Sequence, residues 1–265
     1  MIFMETWQLI IYMPAYNAEN TILELLKRIS KINEILKGKD VNIKQLLIVN
    51  DGSKDNTLGI LTDFKKKHTW IEIVDKKNNE GPVSALFDGM KYASDIMVKQ
   101  GYQPSKTILI RMDSDLEHQP EDIPKLIEPI IAGKTNATVG YIPFDSRSGF
   151  LTNLFNEHIG LSESKGFLDM EIPQFCPGFN AIRGDVFGKA YPELVKKAEE
   201  FRKKYGKDML TLDFVILVLV KKYEKNMDRI KLRAIEDRYI KKPSFGKLLL
   251  YFRYHNENVN FLKNF

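Results

Sequence analysis

The stretch Thr107-Ile108-Leu109-Ile110-Arg111-Met112-Asp113-Ser114-Asp115-Leu116 decides the fold. Its first four residues form an apolar run that is typical of a buried strand. Asp113 and Asp115 follow where that strand ends, two residues apart, so their carboxylates can point the same way. Paired carboxylate oxygens at the carboxyl end of a strand suit a divalent cation, and the cation suits a diphosphate. An Asp-x-Asp triplet alone is more often a solvated turn, so the surrounding sequence must decide its meaning.

Strands and helices alternate on both sides of this stretch. Apolar runs predict strands at 8–13, 45–49, 70–74, 106–112 and 137–142. Helical periodicity predicts helices at 22–36, 55–67 and 82–98, and a further helix that starts at Gln119 and Pro120. Thr21 and Glu24 have the spacing of a capping box. The alternation predicts an α/β fold, with a mainly parallel sheet that helices cover on both faces.

Three polar loops follow strands of this sheet. Pro14-Ala15-Tyr16-Asn17 follows the first strand, Asn50-Asp51-Gly52-Ser53 follows the second, and Asp113-Ser114-Asp115 follows the fourth. Ligands of such sheets bind at the carboxyl ends of the strands. The sequence therefore predicts one site at this edge of the sheet.

Composition sets the class of protein and of partner. The chain has 265 residues, 43% of them hydrophobic and 28% charged, which is ordinary for a globular protein. The single cysteine, Cys176, cannot form an internal disulfide, and no secretory signal is evident, so we expect a cytoplasmic protein. A net charge of +5 favours anionic partners such as nucleotides, phosphorylated lipids or an anionic membrane surface.

The second half of the chain is less regular. We divide the sequence into an α/β half at 1–145, a second half of the same domain at 146–235, and a basic, amphipathic tail at 236–265. Within the second half we predict helices at 192–204 and 209–223 and a strand at 229–235. The tail has the composition of a segment that lies on a membrane, packs on its own domain or contacts a second subunit. The sequence leaves these three alternatives open.

Three segments together resemble glycosyltransferase family 2, whose members have the GT-A fold. They are Met13-Pro14-Ala15-Tyr16-Asn17, Val49-Asn50-Asp51-Gly52-Ser53-Lys54-Asp55-Asn56-Thr57 and Met112-Asp113-Ser114-Asp115-Leu116-Glu117-His118-Gln119-Pro120-Glu121. The third is most similar to polyprenyl-phosphate sugar transferases of the dolichol-phosphate mannose synthase type. The resemblance implies a Rossmann-like GT-A sheet with a smaller acceptor-side region. It also implies an inverting, metal-dependent transferase that uses a UDP- or GDP-sugar.

The resemblance also implies roles for single residues on the donor side. The nucleotide would contact Pro14, Ala15, Tyr16, Glu19, Asp51, Gly81 and Asp113. Mg²⁺ or Mn²⁺ would be held by Asp113 and Asp115, with Glu117 as a third ligand where the family often has Gln. Where many relatives carry a basic residue after the glycine, this chain has Pro82. A cation there offsets the negative charge that grows on the departing diphosphate.

The acceptor side admits two alternatives. A lipid phosphate is already ionised and needs cations, and the positions that match basic or polar residues of lipid-phosphate relatives are Arg147, Arg183, Arg238, Ser244 and Lys247. A saccharide or other hydroxyl acceptor needs a general base instead. Asp213 matches an acidic position that is common in the family, and with Asp113 it completes the predicted catalytic pair.

Other classes of function fit the sequence less well. A nucleotidyltransferase is the remote alternative, but it normally has a Gly-rich, basic loop where this chain has Pro14-Ala15-Tyr16-Asn17. A non-catalytic module with the same scaffold would not need intact acidic ligands. A nucleic-acid partner is not expected because the lysines are dispersed along the chain rather than clustered with aromatic residues.

Overall fold

The computed structural model describes residues 6–141, 164–169, 178–206, 208–209, 212–224, 226–233 and 261–263. In this part of the chain, seven strands form one sheet: β1 (Trp7–Ala15), β2 (Val41–Asn50), β3 (Ile71–Asp75), β4 (Thr107–Arg111), β5 (Ala137–Tyr141), β6 (Asn180–Arg183) and β7 (Met227–Lys231). The strand order is β3-β2-β1-β4-β6-β5-β7.

The sheet is mainly parallel, as predicted. β1 pairs in parallel with β2 and β4, and β2 pairs in parallel with β3. β5 and β7 are also parallel. Between these two groups lies β6, which is antiparallel to both β4 and β5. The carboxyl ends of β1, β2 and β4 therefore meet at one edge of the sheet.

Helices cover both faces of the sheet. They are α1 (Ile22–Lys37), α2 (Thr57–Lys65), α3 (Pro82–Lys99), α4 (Ile123–Ile131), α5 (Gly184–Tyr205) and α6 (Leu212–Tyr223). A short 3₁₀ turn at Pro120–Asp122 precedes α4, and a π-helical turn occupies Ser164–Leu168.

The alternation of side chains along β1 separates two hydrophobic cores. Leu9, Ile11 and Met13 pack with the buried residues of α1, α2 and α4 on one face. Ile10 and Tyr12 pack with those of α3, α5 and α6 on the other. Strands buried on both faces carry nearly continuous apolar sequence, which is why β1, β2 and β4 were readable from the sequence.

Two local predictions are wrong, and one strand was not predicted. The first predicted helix of the second half starts at Gly184 rather than at Pro192, which lies inside α5. The strand β6 was not predicted at all. Thr21 precedes α1, but no side-chain cap forms there, because its hydroxyl donates to the carbonyl oxygen of Ser114 at 3.0 Å.

The described part of the tail packs on its own domain. Phe261 and Leu262 are buried in the second core, and the ring of Phe261 meets that of Phe201 on α5 edge to face, with centroids 5.3 Å apart. Both predicted boundaries, 145/146 and 235/236, lie outside the described residues. Among the described helices, none has the length and apolar character that a membrane span requires.

Candidate active site

A cleft of about 590 Å³ opens at the carboxyl edge of the parallel strands. The ends of β1 and β2 lie side by side there, with Ala15 in register with Asn50. The residues that line the cleft come from the three predicted loops, the start of α3 and the segment before it: Pro14, Ala15, Tyr16, Asn17, Ala18, Asn20, Thr21, Asp51, Asn79, Pro82, Ala85, Asp113, Ser114 and Asp115.

The rim of the cleft is fixed by hydrogen bonds between the loops after β1 and β2. The backbone N–H of Asn17 donates to Ser53 Oγ at 3.0 Å, and Asn17 Oδ1 accepts from the N–H of Lys54 at 2.8 Å. One residue further on, the N–H of Ala18 donates to the buried Thr57 Oγ1 at 2.7 Å. These bonds join residues 36 to 39 positions apart, so they tie the two loops together into one edge of the cleft.

Glu19 takes part in this loop pairing and does not line the cleft. Its carboxylate accepts from the N–H of Asn56 at 2.9 Å, while its own N–H donates to Asp55 at 3.0 Å. The residue is exposed. The contact of Glu19 with a nucleotide therefore stays a prediction.

Asp51 is buried and holds the loop before α3. Its two carboxylate oxygens accept the N–H groups of Glu80 at 3.0 Å and Gly81 at 2.8 Å. The ammonium of Lys76 lies 3.5 Å from the same carboxylate. Asp51 also lines the cleft, so it both shapes the cleft wall and presents acceptor oxygens at its surface.

Two glycines permit the approach of the loops after β2 and β3. Gly52 has φ +65°, and a Cβ there would lie 2.4 Å from the carbonyl carbon of Asn78 and 2.6 Å from the nitrogen of Asn79. Gly81 has φ +94°, a value that L-residues avoid, but a Cβ there would meet no described atom within 4 Å. The backbone conformation, rather than crowding by the protein, explains Gly81.

Asp113 and Asp115 both line the cleft, as the strand pattern predicts. Within the described residues, no group of three or more His, Cys, Asp and Glu side chains is placed to hold a metal ion. The role of Glu117 as a third metal ligand therefore stays a prediction. Its backbone N–H instead donates to Asp115 Oδ1 at 3.1 Å.

Behind Asp113 lies a buried group of residues that we call the Arg111 cluster: Arg111, Asp113, His118, Gly178 and Asp213. Arg111 Nη1 is 2.7 Å from Asp113 Oδ1, and Arg111 Nε is 3.0 Å from Asp213 Oδ1. The same Nη1 donates to the carbonyl oxygen of Gly178. His118 Nδ1 lies 3.5 Å from Asp113 Oδ2. One guanidinium is thus shared by two carboxylates.

The pKa values of the two carboxylates of the cluster are shifted in opposite directions. Burial would raise the pKa of Asp113, but the Arg111 guanidinium and His118 outweigh burial and hold that pKa well below its ordinary value. Burial raises the pKa of Asp213 to about 6, although the charge of Arg111 acts in the other direction. Asp113 has the shorter contact with Arg111 and also lies beside His118, whereas the charge of Asp113 adds to the effect of burial at Asp213, which accounts for the difference.

The predicted acceptor residues are only partly described. Arg147, Arg238, Ser244 and Lys247 lie outside the described residues, and so do most of the tail and Cys176. Arg183 is described, and it lies at the opposite edge of the sheet, because β6 runs antiparallel and places it beside Ile108 at the start of β4. Its guanidinium binds Asp185 with contacts of 2.6 and 2.8 Å. This placement gives no support to the prediction that Arg183 binds the acceptor.

The sequence did not predict the roles of Arg111, His118 and Gly178. The sequence does contain a sign that Arg111 is important, because a charged residue at the end of a fully buried strand needs a partner. It contains no such sign for Gly178, because Gly178 contacts Arg111, which is 67 residues away in the chain. A Cβ at Gly178 would lie 2.4 Å from Asp113 Oδ2 and 2.6 Å from Arg111 Nη1, so the cluster closes only around a glycine.

One known protein family matches the part of the chain that contains the cleft. The model of the family described as glycosyl transferase family 2 matches residues 10–190, which include the whole cleft. That range is more than half of the chain.

Two curated archaeal relatives illustrate the range of similarity. An uncharacterized protein of Methanocaldococcus jannaschii is 29% identical over 216 residues, which cover 74% of this chain and 86% of the relative. The UDP-N-acetylglucosamine–dolichyl-phosphate N-acetylglucosaminyltransferase of Methanococcus voltae is 29% identical over 139 residues. This second match covers 48% of the chain and 49% of the relative, so the chain spans about half the length of that protein.

Solved structures share the fold. Glucosyl-3-phosphoglycerate synthase from Mycobacterium tuberculosis, crystallised with Mn²⁺ and UDP-glucose, superposes with a TM-score of 0.55 at 15% identity. The superposition covers 93% of this chain and 76% of that one. At this identity the likeness concerns the GT-A fold alone.

Proposed function

The chain belongs to glycosyl transferase family 2 and is a glycosyltransferase, and we propose that it moves a sugar from a nucleoside-diphosphate sugar to a polyprenyl phosphate. The observation that carries the proposal is the cleft, where Asp113 and Asp115 face the rim built by Pro14–Ala18 and the wall built by Asp51. Its volume of about 590 Å³ suits a ligand the size of a nucleotide sugar. In-line attack by the acceptor would invert the anomeric centre.

The donor would lie with its nucleotide against Pro14, Ala15 and Tyr16 and its diphosphate toward Asp113. Tyr16 offers an exposed aromatic ring, 44% accessible, against which a base can stack. Asp51 presents carboxylate oxygens, which accept hydrogen bonds from base or ribose donors. UDP- and GDP-sugars are the donors for which this proposal is made.

A divalent cation, Mg²⁺ or Mn²⁺, fits the chemistry of the residues that face the cleft. Asp113 and Asp115 supply hard oxygen ligands, and both line the cleft. Two carboxylates leave most of the coordination shell to water and to phosphate oxygens of the donor, which is how proteins usually hold Mg²⁺ beside a nucleotide. When bound, the cation supplies positive charge that offsets the charge accumulating on the leaving diphosphate.

The polyprenyl-phosphate acceptor is favoured by two considerations. The Methanococcus voltae relative is named for transfer to dolichyl phosphate. A phosphate acceptor needs no general base, and the described carboxylate predicted for that role, Asp213, is 7% exposed and is bound to Arg111. The cations for such an acceptor remain the predicted Arg147, Arg238 and Lys247. Because a polyprenyl chain resides in a membrane, the proposal includes contact with a membrane surface.

A hydroxyl acceptor is the second candidate, and one observation favours it. Burial raises the pKa of Asp213 to about 6, a value that suits a general base near neutral pH. In that case Asp213 would take the proton of the attacking hydroxyl. The two candidates differ in what the acceptor must be, so a substrate screen separates them.

The test is a transfer and hydrolysis screen of purified protein. UDP-, GDP- and dTDP-sugars are offered with Mn²⁺ or Mg²⁺, together with undecaprenyl phosphate, dolichyl phosphate or simple saccharides. We expect metal-dependent transfer to a lipid phosphate, and a loss of at least ~100-fold in Asp115→Asn. The matched control is Asp63→Asn, which changes an exposed aspartate that pairs with Lys66 on α2 and should keep full activity. Wild-type turnover by Asp115→Asn would refute the metal assignment.

A further inference from the structure

The residues of the Arg111 cluster lie at different depths behind the cleft. Of its two acids, Asp113 lines the cleft, whereas Asp213 does not. The guanidinium of Arg111 lies between them, with Nη1 toward Asp113 and Nε toward Asp213. Seen from the cleft, Asp113 comes first and Asp213 lies behind Arg111.

Burial of these charged groups has a cost in free energy. Arg111 is 6% exposed and Asp213 is 7% exposed, so neither is well solvated. Removing one partner from a buried ion pair leaves an uncompensated charge and is strongly destabilising, whereas a pair kept together only roughly offsets its own desolvation. A buried arrangement of this kind is therefore better explained by the geometry it imposes than by the stability it adds.

The geometry it imposes is the position of the Asp113 carboxylate. Oδ1 of Asp113 faces Arg111, and Oδ2 faces His118 at 3.5 Å. The backbone at Gly178 closes the remaining side, since a Cβ there would lie 2.4 Å from that same Oδ2. Arg111 is in turn held by the carbonyl oxygen of Gly178 and by Asp213.

We infer that Asp213 is a positioning residue of the donor site, which holds Arg111 so that Arg111 holds the cleft-facing carboxylate of Asp113. The inference rests on the proposed function, because it takes Asp113 as a ligand of the metal and diphosphate. It assigns Asp213 to the donor half of the reaction, in contrast to a base that acts on the acceptor.

The two roles predict different results for two substitutions. Arg111 Nε and Asp213 Oδ1 lie 3.0 Å apart as an ion pair, so Asn at position 213 keeps an oxygen beside Arg111 without the charge, whereas Ala keeps neither. A positioning role therefore predicts that Asp213→Ala binds UDP with Mn²⁺ at least ~10-fold more weakly, that Asp213→Asn loses less affinity than Asp213→Ala, and that transfer falls in step with affinity in both variants. If Asp213 is instead a general base, both variants should lose transfer activity equally, and neither should lose affinity for UDP and Mn²⁺.

The experiment is calorimetric titration of UDP and GDP in the presence of Mn²⁺, without acceptor, combined with donor hydrolysis and transfer assays. The matched control is Asp185→Ala, which breaks an aspartate–arginine pair with Arg183 at the opposite edge of the sheet and should leave the affinity unchanged. Thermal melting of each variant reports folding. The double variant Arg111→Gln/Asp213→Ala should bind no more weakly than Arg111→Gln alone, because both changes act through Asp113.

The outcomes separate the inference from the function on which it rests. If the wild type bound no nucleoside diphosphate with Mn²⁺, both would be refuted. If the wild type bound and Asp213→Asn lost more than ~100-fold in transfer while its affinity for UDP and Mn²⁺ stayed unchanged, the inference alone would be wrong. Additive losses in the double variant would also overturn it. Should Asp213→Ala not fold, the Asn variant and the Arg111→Gln titration still decide.

Discussion

Gly52→Ala tests whether the loops after β2 and β3 are held together as closely as the structure indicates. Two effects add at this position. Alanine at φ +65° carries the left-handed penalty of about 1–2 kcal/mol. Its Cβ would also lie 2.4–2.9 Å from backbone atoms of Asn78 and Asn79, and backbone cannot rotate away as a side-chain tip can. Overpacking of this kind costs about 1–3 kcal/mol more.

Gly101→Ala is the matched control. Gly101 has nearly the same φ, +64°, but a Cβ there would meet no described atom within 4 Å. It should therefore show the left-handed penalty alone. For a chain of this size, 1 kcal/mol corresponds to about 2 °C in melting temperature. We expect Gly101→Ala to melt ~2–4 °C below wild type and Gly52→Ala ~4–10 °C below it.

Binding separates the two variants further. Asn79 lines the cleft, so displacement of Asn78–Asn79 should weaken UDP binding with Mn²⁺ by about fivefold or more in Gly52→Ala. Gly101 precedes Pro104–Lys106 at the far end of α3 and should leave that affinity unchanged. The assays are differential scanning calorimetry and nucleotide titration. Equal melting temperatures and equal affinities for the two variants would refute the argument from backbone contact.

Three further predictions concern buried polar groups. Thr57→Val removes the acceptor of the Ala18 N–H and should lower the free energy of unfolding by ~1–3 kcal/mol in urea titrations, a change below 0.5 kcal/mol being contrary to expectation. Lys76 is enclosed by three carboxylates at 2.6–3.5 Å, so Lys76→Met should lower the free energy of unfolding at pH 7 by ~2–4 kcal/mol in urea titrations, because it leaves these carboxylates without their shared cation. The pKa of Asp213, raised to about 6, means that its contribution to stability is present below pH 4 and lost as pH rises through 6. Between pH 4 and pH 7 the free energy of unfolding of Asp213→Asn should therefore rise by up to ~3 kcal/mol relative to that of the wild type. An equal pH dependence of the two proteins would contradict the raised pKa.

The first half of the fold was predictable because each element there has a clear local period. β1, β2 and β4 each contain an apolar run, and α1 places its buried residues from Ile22 to Leu36 on one face. Pro82 at the first helical position marked the start of α3 correctly, since its missing N–H is not needed there. The same rule failed at Pro192, because a proline inside a long helix looks locally like one at a helix start.

The candidate site was predictable only where it is made of loops that follow strands. Asp51, Asp113 and Asp115 were placed by their position after apolar runs. The strand β6 was missed because it has only four residues between two glycines and pairs antiparallel to its neighbours. With β6 unassigned, the sequence could not show that Gly178 meets Asp113 or that Arg183 points away from the cleft.

The place of β6 in the sheet has a consequence for synthesis from the amino terminus. β4 and β5 never pair with each other, because β6 lies between them. Until about residue 183 has emerged, one flank of β4, all five residues of which are buried in the finished protein, lacks its hydrogen-bonding neighbour. A nascent chain that stops earlier exposes β4 as an apolar edge strand, which can pair with strands of other chains. Expression fragments cut between β5 and β6 are therefore expected to aggregate, whereas those that extend past Arg183 complete the border.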